Sequence, residues 1–136
     1  MSLDYKYIVW ESKKLSSKGR ILDFGCGGGS VVRYGIEQDL DIVGADIFYE
    51  GNDSRREAEQ SGLLGESLFE MKNGKLPFDD DEFDLIVSNQ VFEHIREVDK
   101  SLAEISRVLK PSGMILLKFP VYDTFREDHC GIPFAH

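Results

Sequence analysis

The sequence has little of what staples a chain together or embeds it in a membrane. Of 136 residues only two are cysteine, Cys26 and Cys130, one is tryptophan and four are proline. Two distant cysteines, with no second Cys or His at metal spacing near Cys26, exclude a disulfide framework and a zinc site. Their setting is read as reducing and cytoplasmic. Four prolines beside 13 glycines are ordinary usage, which excludes collagen-like and low-complexity chains. Basic residues are scarce: 16 Lys+Arg stand against 25 Asp+Glu, a formal charge of -9. A groove for a phosphate backbone is hard to assemble from that balance, so no nucleic-acid partner is expected. Long apolar runs are missing as well. The longest plain run is Met114 to Leu117, too short for a membrane span or the apolar part of a secretory signal, so a soluble, non-exported protein is expected. Met1, Ser2 and Leu3 are read as leader residues outside the fold, and no internal repeat is visible.

Hydrophobic residues make up 41% of the chain and aromatics 11%, enough for one globular core. Residues 4–16 set Tyr5, Ile8, Val9 and Leu15 among Lys and Glu at a loose helical period. Arg20 to Phe24 is a short apolar run that stops at Gly25, as a buried strand entering a tight loop does. Ser30 is placed as the N-cap of a short helix that carries Val31, Val32 and Ile36 and is weakened by Gly35. A second strand is predicted at Asp41 to Ala45. Residues 50–62 predict a helix capped by Asn52, Asp53 and Ser54 and stopped by Gly62, with Arg55 and Arg56 on the surface.

Leu68 to Met71 reads as a short edge strand and Asn73-Gly74 as a turn, with Pro77 leading an extended loop through the acidic run Asp79 to Glu82. Phe83 to Ser88 reads as a buried strand. Leu102, Ile105, Val108 and Leu109 share one helical face, and Pro111 with Gly113 ends that helix before a strand from Met114 to Phe119. No period is legible from Pro120 to His136.

Apolar strands alternating with helices define an α/β fold: a Rossmann-like, doubly wound, mostly parallel sheet in three layers. The expected organisation is an N-terminal helical segment over residues 1–17, a ligand-binding domain over 18–120 and an irregular tail over 121–136. In such sheets the ligand sits beyond the carboxyl ends of the strands, where strand order reverses. The residues after Phe24, Ala45, Met71, Ser88 and Phe119 are therefore the ones that matter.

Asp23-Phe24-Gly25-Cys26-Gly27-Gly28-Gly29 leaves a strand with glycines at alternate positions, which permits positive φ and lets backbone N–H groups approach a ligand. The alternative, on this loop alone, is a plain strand-to-helix turn. The dinucleotide fingerprint needs a glycine where Ser30 stands, which disfavours nicotinamide and flavin cofactors. The next strand ends in Gly44-Ala45-Asp46, about 20 residues past the loop, where a carboxylate can accept both hydroxyls of a ribose. Together the two features point to an adenosine-containing ligand.

With these residues in place the sequence resembles the class I S-adenosylmethionine-dependent methyltransferases, in particular the methyltransferase-11 type. The resemblance rests on an ordered series over residues 18–120: Ile21 to Gly29, Ile42 to Ile47, Leu76-Pro77-Phe78, Phe83 to Ser88, Glu93-His94 and Glu104 to Gly113. It implies S-adenosylmethionine as cofactor. Gly25, Gly27 and Gly29 would lie under its methionine part with Asp23 near the amino group, Asp46 would hold the ribose and Ile47 would flank the adenine. Ser88 and Asn89 would lie close to the methionine moiety, and Gln90 to His94 would face the acceptor.

Two departures stand out. The family often has an acidic residue before Leu-Pro-Phe to bind the adenine amino group, whereas Lys72-Asn73-Gly74-Lys75 stands here; Asn73 either accepts that bond or is a plain turn asparagine. The family sheet has seven strands and five can be placed, so the last strands are lacking. The open fifth edge then belongs to a fragment or is covered by another chain, which predicts a homo-oligomer or marginal stability.

Methyl transfer is an in-line displacement that needs alignment and, for some acceptors, a base. His94 with Glu93 is the candidate base; the alternative is a histidine that caps or packs the next helix. Glu127, Asp128, His129 and His136 form a polar cluster that is read as an acceptor lid, a metal site with Glu93 and His94, or simply a terminus; spacing defines no ligand set and no metal is expected. Cys26 is read as a small loop residue. The chain lacks the Pro-Pro-aromatic segment of enzymes that methylate DNA bases. A small-molecule, lipid-precursor or glycan acceptor at oxygen or carbon is expected; the alternative is a regulatory or assembly domain that binds the cofactor without catalysis.

Overall fold

The computed structural model describes residues 3–119. The tail over 121–136, with Glu127, Asp128, His129 and His136, lies outside the described residues. Among the described residues there are five strands: β1 (Arg20–Phe24), β2 (Asp41–Asp46), β3 (Leu68–Glu70), β4 (Phe83–Asn89) and β5 (Leu109–Lys118). They form one parallel sheet in the order β3-β2-β1-β4-β5. The chain winds outward from β1 to β3, then crosses back to β4, so strand order reverses between β1 and β4. In register, Asp23 of β1 lies between Gly44 of β2 and Val87 of β4.

The helices among the described residues are α1 (Asp4–Ser16), α2 (Ser30–Glu37), α3 (Asp53–Gln60) and α4 (Val98–Val108), with a 3-10 turn at Phe92–His94. The strands feed two separate apolar layers, with residues alternating between them except across Phe83 and Leu85, where the pairing register shifts. On one face Ile21, Ile42, Leu85 and Val87 pack with Ile8 and Val9 of α1 and Val31 and Val32 of α2. On the other, Leu22, Val43, Phe83 and Ile86 pack with Ile105 and Val108 of α4. These runs are apolar on both faces because helices cover both faces.

Four local expectations are corrected. The N-cap of α2 is Gly29, at φ 88°, and Ser30 is the first helical residue with no capping bond; the third glycine of the loop absorbs the left-handed turn and pushes Ser30 into the helix. Gly35, not Ile36, faces the sheet, and a Cβ there would stand 2.7 Å from Ile42 Cγ2, so the glycine allows close helix-sheet contact. Arg55 is only half exposed, donating to the Phe48 carbonyl at 3.0 Å and pairing with Glu59 and Glu70.

The fourth correction concerns α4. Leu102 is 39% exposed, while Glu104 is buried on its inner side with Ile105 and Val108. The helix ends before Leu109, which already pairs with Phe83. Backbone N–H groups of Asp81 and Glu82 donate to the carbonyls of Arg107 and Val108 at 2.9 and 2.8 Å, satisfying two terminal acceptors of the helix. Residues 110–113 loop out of the ladder, which resumes at Met114 opposite Leu85. Pro111 and Gly113 therefore shape a bulge inside β5 and not the end of the helix.

Candidate cofactor-binding site

The carboxyl ends of β1, β2 and β4 converge where strand order reverses, the place at which open α/β sheets bind ligands. After Phe24 the backbone turns through Gly25 (φ 77°), Gly27 (φ 52°) and Gly29 (φ 88°), conformations that L side chains rarely adopt. Packing adds a second requirement: a Cβ on Gly25 would meet Val91 at 2.6 Å and one on Gly29 would meet Leu68 at 2.7 Å. The loop is fastened to β2 by Gly25 and Cys26 N–H groups donating to the Ala45 carbonyl at 2.8 and 3.1 Å.

Asp46, the last residue of β2, accepts from Gly27 N–H at 2.8 Å through Oδ2 and from Ile47 N–H at 2.7 Å through Oδ1. The two backbone donors orient the carboxylate, and each oxygen keeps acceptor capacity for a ligand. Asp46 and Ile47 lie on a cavity of about 830 Å³ whose walls include Phe24, Met71, Asn73, Val91 and His94. Apolar side chains with a few fixed polar groups are what a heterocycle and its sugar require.

A second cavity, of about 410 Å³, shares Gly25 with the first and is lined by Asp23, Gly27, Asn89 and Gln90, with Asp4 and Tyr5 of α1. Asp23 is 2% exposed, and burial, reinforced by the charge of Asp46, pushes its pKa up to about 7. Asn89 Oδ1 is buried and has no hydrogen-bond partner among the described residues. A buried carboxyl group and an unsatisfied carbonyl oxygen on one small cavity can both accept hydrogen bonds from a donor outside the chain.

The other expected site residues fall as follows. Gly25 touches both cavities, Gly27 the smaller one and Gly29 neither. Ser88 is 1% exposed and its hydroxyl donates to the Phe24 carbonyl at 2.9 Å, tying β4 to β1. Asn73, at φ 53°, stands on the rim of the larger cavity within a tight turn. His94 lines the larger cavity and is exposed; it does not cap α4, whose N-cap is Glu97. Glu93 lies in the same 3-10 turn. The Cys26 thiol is driven far above its usual range by burial, with Asp23 and Asp46 adding to it, which leaves it inert. No group of side chains suited to a metal ion occurs among the described residues.

Sequence reasoning missed Asp4 and Tyr5, because helical period marks the buried face of α1 and carries no sign of what its first turn covers. Asp4 is fastened to the end of β5 by Lys118 at 2.6 Å. Tyr49 and Met71 on the larger cavity were missed as well.

A five-stranded 3-2-1-4-5 sheet with a glycine loop after β1 and an acidic end to β2 defines the Rossmann-like class I methyltransferase fold. Residues 22–117 match the family model described as a methyltransferase domain, and the chain belongs to that family. It is 34% identical over 112 residues to a ubiquinone/menaquinone biosynthesis C-methyltransferase of Vibrio vulnificus, covering 76% of this chain and 43% of that protein. It is 29% identical over 99 residues to a ubiquinone biosynthesis O-methyltransferase of Bartonella bacilliformis, covering 72% and 40%. Among solved structures, an S-adenosylmethionine-dependent methyltransferase from Mesorhizobium loti superposes with a TM-score of 0.69 at 21% identity, over 93% of this chain and 58% of that one; at that identity the likeness concerns the fold. The chain spans less than half the length of these two curated relatives.

Proposed function

We propose that this chain is the cofactor-binding portion of an S-adenosylmethionine-dependent methyltransferase that acts on carbon or oxygen of a small-molecule, lipid-precursor or glycan acceptor. The observation that carries the reading is the pair of cavities meeting at Gly25, one offering Asp23 and the unsatisfied Asn89 Oδ1, the other Asp46. Two acceptors suit the ammonium of a methionine moiety, and the backbone-oriented Asp46 suits a ribose diol. Ile47 and Met71 give the adenine an apolar slot. Relatives named for quinone biosynthesis favour the lipid-precursor class.

When bound, S-adenosylmethionine supplies an electrophilic methyl group on a sulfonium. Gln90 to His94 follow β4, with Gln90 on the smaller cavity and Val91 and His94 on the larger one; in this reading the segment holds the acceptor in line with that methyl. His94, with Glu93 beside it, takes the acceptor's proton as the new bond forms to oxygen or carbon. The second reading is a domain that binds the cofactor without catalysis. We further propose that β5, apolar at its outer edge, pairs with a second copy of the chain. No helix among the described residues is long and apolar enough to cross a membrane.

Isothermal titration with S-adenosylmethionine, S-adenosylhomocysteine and NAD tests the reading: saturable binding of the first two alone is expected. Binding of none, or of NAD alone, refutes it. Transfer of labelled methyl to a quinone-precursor phenol then separates the catalytic from the non-catalytic reading.

A further inference from the structure

We infer that Glu104 and Arg107 of α4 are positioning residues for adenine recognition, holding the Asn73–Gly74 turn at the rim of the larger cavity. The inference rests on the cofactor reading above. Residues 71–82 connect β3 to β4 and are tied down on either side of that turn. Upstream, Met71 N–H donates to the carbonyl of Asp46 at 2.8 Å, the backbone of the residue whose carboxylate faces the cavity. Downstream, Leu76 N–H donates to Glu104 Oε1 at 2.9 Å.

Arg107 then lays its guanidinium along the segment. Nε donates to Glu104 Oε2 at 2.9 Å, and Nη2 to Glu104 Oε1 at 2.8 Å and to the Leu76 carbonyl at 3.1 Å. Nη1 donates to the Phe78 carbonyl and to Asp80 Oδ1, both at 2.9 Å. These contacts occupy the full set of guanidinium donors. Arg107 lines the cavity yet keeps no N–H for a ligand, so its contribution is geometric. Glu104 is 8% exposed, and a carboxylate that deep is held there only by such partners.

Between the two ties stand only residues 72–75. Lys72 and Lys75 exchange backbone hydrogen bonds at 3.3 and 3.0 Å, with Asn73 at φ 53° and Gly74 at φ 72°, a two-residue turn of the kind that Asn-Gly favours. So short a turn cannot shift unless one tie breaks. What α4 holds in place is therefore the wall that an adenine edge meets, where the Asn73 amide offers both an acceptor and a donor.

The test is titration of the chain and its Glu104→Gln, Arg107→Lys and Asn73→Ala variants with S-adenosylhomocysteine and with its purine-riboside analogue, which carries hydrogen in place of the adenine amino group and so offers Asn73 no donor there. The unaltered chain is expected to prefer S-adenosylhomocysteine roughly tenfold, the scale of one hydrogen bond. Arg107→Lys keeps the charge and loses the fork; it and Glu104→Gln should bring the preference close to one, as Asn73→Ala does. Loss of packing alone would weaken both ligands together, and an unchanged ratio in the folded variants overturns the inference. So does an unaltered chain that binds both ligands equally. If the variants do not fold, amide exchange of the unaltered chain decides: S-adenosylhomocysteine should slow exchange at Leu76, and equal exchange with and without it overturns the inference. An unaltered chain that binds neither ligand refutes the cofactor reading itself.

Discussion

Two carboxylates at the ends of neighbouring strands face different requirements. Asp46 is satisfied by backbone donors, and its replacement by alanine is expected to weaken cofactor binding by roughly 1–3 kcal/mol, the scale of a charged hydrogen bond; titration with S-adenosylhomocysteine measures it, and unchanged affinity refutes the role. Asp23 is buried, and its pKa stands near 7 against an ordinary 3.8. The folded chain therefore holds a proton there that the unfolded chain releases. The contribution of this group to stability is fully present below pH 4 and is lost as pH rises through about 7. A bound ammonium needs the charged form, so affinity for S-adenosylhomocysteine should rise as pH increases from 5.5 to 7.5, about the midpoint set by Asp23. Asp23→Asn should abolish the slope, and a slope that survives would reassign the titrating group. At this scale the position of Asp46 was legible, because an acidic strand end about 20 residues past a glycine loop returns beside that loop in a parallel sheet, and its carboxylate accepts from Gly27 N–H. The hydroxyl of Ser88 was not legible: whether a serine near the end of a strand faces a ligand or a neighbouring carbonyl depends on the adjacent strand, here Phe24 of β1.

Elements were more legible than their ends. Each strand appeared as an apolar run because both faces of the sheet are covered, and β1, β2 and β4 sit where those runs do. The boundary of α4 failed because Leu109 fits a helical face by spacing alone, whereas a strand position opposite Phe83 claims it. Gly35 was read as a weakness in α2, and contact with Ile42 makes it a fitted position. Gly35→Ala gains about 1 kcal/mol of helix propensity and loses about 1–3 kcal/mol by overpacking. Net destabilisation in urea denaturation is expected, and a more stable variant would mean that α2 can move off the sheet.

At the scale of the whole molecule the edges decide behaviour. β3 is short, with three residues, and carries little exposed ladder. β5 is long, has no strand on its outer side among the described residues, and exposes Met114 and Ile115 at 43% each. Such an edge invites pairing, so light scattering should show concentration-dependent association that Ile115→Lys reduces; a monomer at all concentrations in the unaltered chain counts against it.

The sheet order has one further consequence, for the timing of folding. Arg20 and Asp84 are in contact across 64 positions of chain, so joining β1 to β4 closes a large loop, and non-local closure of this kind slows folding. Phe24, the glycine loop and Asp46 come from before that junction, Asn89 and His94 from after it. The pocket is therefore complete only when the central seam between β1 and β4 has shut.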